Sequence, residues 1–172
     1  VTSPGDQVAV VKGDYPRFVI NNKSPEIVGG FNDDFTQVTV LNATTAEGDT
    51  TRVTAGAQLA PAPPPAASNN TAISVRATTG STTIRNLAVR QDDVSASTST
   101  SGIEIHSSVN AVVLQSVRAV GGNSSLNPTG LLVSGSSGVV VAGSWIESGA
   151  PDPAATGSSA YGVRAVSGAS VT

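Results

Sequence analysis

The chain has no cysteine, no methionine and a single histidine, His106, among 172 residues. Disulfide bonds and thiol chemistry are therefore excluded, and a sulfur-ligated metal centre has nothing to build on. Aromatic residues make up only 3% of the chain and charged residues 12%. With Trp145, Tyr15, Tyr161, Phe18, Phe31 and Phe35 as its only large anchors, an ordinary globular core would be thin. No apolar run approaches the ~18 consecutive residues of a membrane-spanning helix, so no membrane span is expected. A formal net charge of −3 excludes the broad basic footprint of a nucleic-acid binder. Helical spacing of apolar residues is also missing.

What the chain does have is Gly, Ala, Ser, Thr and Val, arranged in short runs that alternate apolar and polar residues between turn formers. That pattern predicts an all-β protein. Four stretches align: "AISVRATTGSTTIRNLAV" from Ala72, "GIEIHSSVNAVVLQSVRA" from Gly102, "GLLVSGSSGVVVAGSWIE" from Gly130 and "GVRAVSGASVT" from Gly162. The repeat is about thirty residues long. Each unit carries apolar pairs at fixed offsets. The first pair is Ile73/Val75, Ile103/Ile105, Leu131/Val133 and Val163/Ala165. The second is Thr82/Ile84, Val112/Leu114 and Val139/Val141, with Val171 opening a fourth. The third is Leu87/Val89, Val117/Ala119 and Ser144/Ile146. Period-2 alternation puts each pair on one side of its strand. Three short strands per unit suit one rung of a triangular solenoid, whose core is a narrow stack of aliphatic side chains and needs few large anchors.

"STTIRNLAVR" and "NAVVLQSVRAV" resemble the coil pattern of right-handed parallel β-helices of the pectin-lyase-like type. "GDQVAVVKGDYPRFVI" (Gly5 to Ile20) followed by "PEIVGGFNDDFTQVTVLNA" (Pro25 to Ala43) is similar to the opening coil of such proteins, including repetitive bacterial surface and autotransporter-like proteins. The resemblance implies a single β-helix domain over residues 1–172 of a bacterial protein that is extracellular or displayed at the cell surface. Residues 1–54 form the opening coil, 55–71 a Pro/Ala-rich excursion and 72–172 the regular rungs. Because Val171 matches Val139, the chain is expected to stop in mid-rung. Further rungs or another chain would then cover that end.

The resemblance also implies a search for polysaccharide chemistry: acidic residues for Ca²⁺ with a basic catalytic residue, as in lyases, or clustered aspartates with a histidine, as in hydrolases. Glu104 and His106 alternate with Ile103 and Ile105, so both are expected to face outward, with Arg76 one rung from His106. Arg76, Glu104 and His106 are thus the candidate catalytic residues, although ordinary cross-strand charge pairing explains them equally well. Asp92 and Asp93 follow a third strand and are candidate ligand contacts, the plainer reading being a solvated turn. Trp145 is expected outward between Ser144 and Ile146, and it joins Tyr161 as a candidate sugar platform. Asp33-Asp34 lacks the spacing of an EF-hand loop. No cofactor and no metal site is expected. The function expected is a non-catalytic structural or adhesive segment, the alternative being a module that binds or degrades a polysaccharide. Its partner would then be a polysaccharide or a host or cell-surface ligand.

Overall fold

The computed structural model describes residues 5–42, 44–46, 49–55, 71–93, 99–123, 126–154 and 156–172. Among the described residues, fifteen strands make five successive rungs. The first rung is β1 (Gln7–Val11), β2 (Gly13–Pro16) and β3 (Phe18–Asn21), and the second is β4 (Glu26–Phe31), β5 (Thr51–Ala55) and β6 (Thr71–Arg76). The third holds β7 (Thr82–Arg85), β8 (Leu87–Gln91) and β9 (Thr100–His106). The fourth holds β10 (Val112–Gln115), β11 (Arg118–Val120) and β12 (Pro128–Ser134), and the fifth β13 (Val139–Ala142), β14 (Trp145–Glu147) and β15 (Tyr161–Val166). Corresponding strands stack into three parallel five-stranded sheets: A (β1-β4-β7-β10-β13), B (β2-β5-β8-β11-β14) and C (β3-β6-β9-β12-β15). The architecture is a parallel β-helix.

The register is the one the apolar pairs predict. In sheet C, Phe18, Ile73, Ile103, Leu131 and Val163 are successive partners. In sheet A, Ile27, Ile84, Leu114 and Val141 stack in one row, and in sheet B Tyr15, Val53, Val89, Ala119 and Ile146 do the same. Ile73, Ile84, Ile103, Leu114 and Leu131 are completely buried. Parallel pairing satisfies the backbone of each rung from above and below, and the inward side chains of three sheets fill the narrow space between them.

Tight corners make the coil possible. The residue after each sheet C strand has a left-handed backbone: Asn22, Ala77, Ser107, Gly135 and Ser167, with φ between 44° and 57°. Asn86, Ser116 and Gly143 do the same between sheets A and B. One such residue turns the chain from one sheet to the next. Corner amides also bond rung to rung, as in Ala77 N to His106 O and Ser107 N to Ser134 O. Behind the C–A corner, hydroxyls form their own ladder: Thr78 Oγ1 meets Ser108 Oγ, and Ser108 N donates to Ser136 Oγ at 2.9 Å.

The third corner, from B to C, carries the long connections of variable length, after β5, β8, β11 and β14. The Pro/Ala-rich excursion joins β5 to β6 there; Ala55 and Thr71, its expected limits, end and begin those strands, and residues 56–70 lie outside the described part.

In sheet A, Thr82 breaks the aliphatic rule. Thr82 is fully buried in the row of Val112 and Val139, and its hydroxyl has no partner. Thr82→Val keeps the shape and removes an unsatisfied buried polar group. It is expected to raise the unfolding free energy by about 1–2 kcal/mol, read as a higher urea midpoint at unchanged slope.

Candidate functional site

Arg76, Glu104 and His106 come together on the outer side of sheet C. Ser74 pairs with Glu104 and Arg76 with His106 across one rung, as the register predicts. Their exposures differ from one another. His106 is exposed and its Nδ1 lies 2.8 Å from Ser107 Oγ. Glu104 is only 7% exposed, and Thr71 Oγ1 donates to its Oε2 at 3.3 Å. Strand alternation fixes the side of the sheet on which a residue lies, not what lies over that side. Glu104 lies on the outer side of sheet C but is buried there.

The other candidates are dispersed. Both carboxylate oxygens of Asp93 are held by Asn123, from its backbone N at 2.9 Å and its Nδ2 at 3.0 Å. Asn123 Oδ1 in turn accepts from Ala150 N at 2.7 Å, which ties three B–C loops into one ladder. The Asn123 backbone N–H is the main cause holding the Asp93 carboxyl below its usual pKa of 3.8; the Asn123 side chain and the charge of Arg90 help. Asp93 is thus a loop clamp, while Asp92 beside it is half-buried. Tyr161 lies on sheet C with the Arg164 guanidinium 5.1 Å from its ring centroid. Trp145 lies on sheet B, 36% exposed, so the two aromatic candidates do not share a surface. Among the described residues no group of three or more His, Asp or Glu side chains could hold a metal ion.

A different arrangement forms on the outer side of sheet B. Its first outward row is Asp14, Arg52, Ala88, Arg118 and Trp145, and its second is Pro16, Thr54, Arg90, Val120 and Glu147. From the connection between β4 and β5, Leu41, Asn42 and Thr45 contribute a wall. Apart from Pro16, Trp145 and Glu147, these rows and the wall line a groove of about 460 Å³. Arg52 donates from Nε and Nη2 to the two oxygens of Asp14 at 2.6 and 2.7 Å. That fork holds the Asp14 carboxyl below its usual value. Arg118 keeps a looser contact, Nη2 to Glu147 Oε2 at 3.9 Å, with both side chains half-exposed. Arg90 is exposed. Three guanidinium groups and one carboxylate therefore line the groove, a positive surface on a chain of net charge −3. Such a concentration of guanidinium donors suits carboxylate or sulfate groups, which Arg binds in bidentate fashion.

The sequence pattern missed this groove. Arg52 belongs to β5, which lies outside the four aligned units, so its row was not assigned. The signal was nevertheless present: extending the third-strand rows outward brings Arg118 beside Trp145 and Arg90 one strand away. Comparison with protein-family models, curated proteins and solved structures found no match.

Proposed function

We propose that this chain is a non-catalytic, adhesive β-helix segment of a secreted or cell-surface protein, and that the groove on sheet B holds an anionic polysaccharide. The observation that carries the reading is the convergence of Arg52, Arg90 and Arg118 on one outward face, with Trp145 continuing the row beyond Arg118. Rungs repeat at ~4.8 Å, so Arg52 and Arg118, two rungs apart, stand ~10 Å from each other along the helix axis. An extended polymer running along that axis meets cations in succession and then the indole face, which offers apolar surface to sugar C–H groups. Binding without turnover is supported by the placement of Arg76, Glu104 and His106 on sheet C, away from the groove. A regular scaffold with loops of variable length at one corner suits display.

Affinity electrophoresis against a polyuronate, dextran sulfate and neutral dextran tests this. Retardation is expected in the two anionic gels only, weakening with added salt. Arg90→Ala and Arg118→Ala together are expected to weaken it about tenfold or more, since each removes a charge-assisted contact. Equal retardation by neutral dextran, or release of shortened polyuronate chains, would overturn the reading.

A further inference from the structure

Arg52, Arg90 and Arg118 stand one per rung and on alternate sides of the sheet B groove. Strands β5, β8 and β11 each send two residues outward there: Arg52 and Thr54, Ala88 and Arg90, Arg118 and Val120. In each pair one member is arginine and the other is uncharged. The arginine holds the first row in β5, the second in β8 and the first again in β11. Successive rungs are ~4.8 Å apart and the two rows ~7 Å apart, so the cations form a zigzag along the axis rather than a line. All three side chains line the same groove.

A carboxylate closes each end of the zigzag. Asp14 stands before Arg52 in the first row and accepts from its guanidinium at 2.6 and 2.7 Å. Beyond Arg118 the alternation reaches the second row of β14, and that position is Glu147, with its side chain half-exposed. Trp145 fills the first row of the same strand and is exposed. The rung after Arg118 therefore offers an indole on one side and a negative charge where the next acidic group of a ligand would arrive.

An extended polysaccharide with a two-fold repeat has the matching form. Each sugar is turned half a revolution from the one before, so acidic groups borne by every sugar project alternately to the two sides of the chain. One sugar of such a chain is close to one rung in length. It meets Arg52, Arg90 and Arg118 in turn, each of which can take a carboxylate or sulfate in bidentate fashion. A two-fold chain with an acidic group on every second sugar projects them all to one side and leaves Arg90 unmet.

We propose that the groove selects three consecutive acidic sugars of a two-fold extended chain, one per rung, and that Glu147 ends the acidic run, the next sugar being neutral and resting on Trp145. This specificity rests on the reading of the groove as a polysaccharide site and narrows it to one charge pattern. The sides on which the charges lie discriminate, not their number.

Titration calorimetry with β-1,4-linked oligoglucuronates of one to five sugars reads the length of the run. Affinity is expected to rise about tenfold with the second sugar and again with the third, then to stop rising. A hyaluronan hexasaccharide, in which acidic and neutral sugars alternate, is expected to bind about tenfold more weakly than the triuronate. The double variant Ala88→Arg/Arg90→Ala moves the middle cation to the first row at unchanged charge, and it is expected to lose about tenfold on the triuronate. Arg118→Ala/Val120→Arg makes the same test on β11, and circular dichroism checks that each keeps its β signal. Glu147→Gln is expected to let the fourth acidic sugar add about threefold in affinity. Unchanged triuronate binding by a folded charge-preserving variant overturns the proposal and leaves the anionic-polysaccharide reading standing, as does hyaluronan binding equal to that of the triuronate. Affinity of the unaltered chain that keeps rising through the fifth sugar overturns the limit set by Glu147. Failure to bind any acidic oligosaccharide overturns both readings.

Discussion

Ile103→Ala is expected to lower the unfolding free energy by about 3 kcal/mol, a large fraction of the stability of a domain this size. Ile103 is completely buried, with Ile73 directly below it and Leu131 directly above. Truncation removes three heavy atoms from a stack whose neighbours are fixed by backbone ladders on both sides. The void therefore cannot close by a shift of one strand alone, which is the condition for the upper part of the usual range. The same change at the end of the same row makes the internal control. Val163→Ala deletes side-chain atoms that are already 44% exposed and is expected to cost under about 1 kcal/mol. Urea unfolding of both variants checks the gradient. Equal losses at the two positions would contradict a core built from rung-on-rung contacts.

The same rows explain why much of the fold was legible in the sequence. Inward residues repeat at fixed offsets because each must land on its counterpart one rung away, so Ile73, Ile103, Leu131 and Val163 announce their own register. Corners are legible only where the residue type advertises them. Asn86 is a natural left-handed corner, but Ala77, with φ of 44°, occupies the same conformation without a compositional signal. Outward positions are under weaker constraint still. Ser74 and Glu104 are buried while Arg164, in the same row, is half-buried, so the repeat that fixes the row does not fix the exposure of its outward members. The Arg-lined groove was hidden for the same reason: its wall comes from Leu41, Asn42 and Thr45, which interrupt the periodicity instead of following it.

Gly130→Ala is expected to destabilise the chain by about 2–3 kcal/mol, although it adds one methyl group and improves local backbone propensity. The repeat places Gly at the head of three units, Gly102, Gly130 and Gly162, and Ala72 at the head of the fourth. A Cβ at Gly130 would lie 2.5 Å from Glu147 O, 2.7 Å from Ile146 Cγ2 and 2.9 Å from Gly162 O. Two of these are backbone atoms, Glu147 and Gly162 belong to β14 and β15, and neither can retreat without breaking its own ladder. The B strand of the following rung therefore closes against the first residues of the C strand, and the glycine is where that approach is tightest. Ala72 reverses the argument at the matching position: its methyl is completely buried and contacts the core, so Ala72→Gly is expected to cost about 1 kcal/mol through lost packing and added chain entropy. Opposite substitutions at equivalent places in the repeat thus both destabilise, the larger loss falling on Gly130. Thermal or urea unfolding of the two variants decides it. A neutral or stabilising Gly130→Ala would mean that β14 and β12 do not approach this closely, and that the glycine heads the repeat for its flexibility alone.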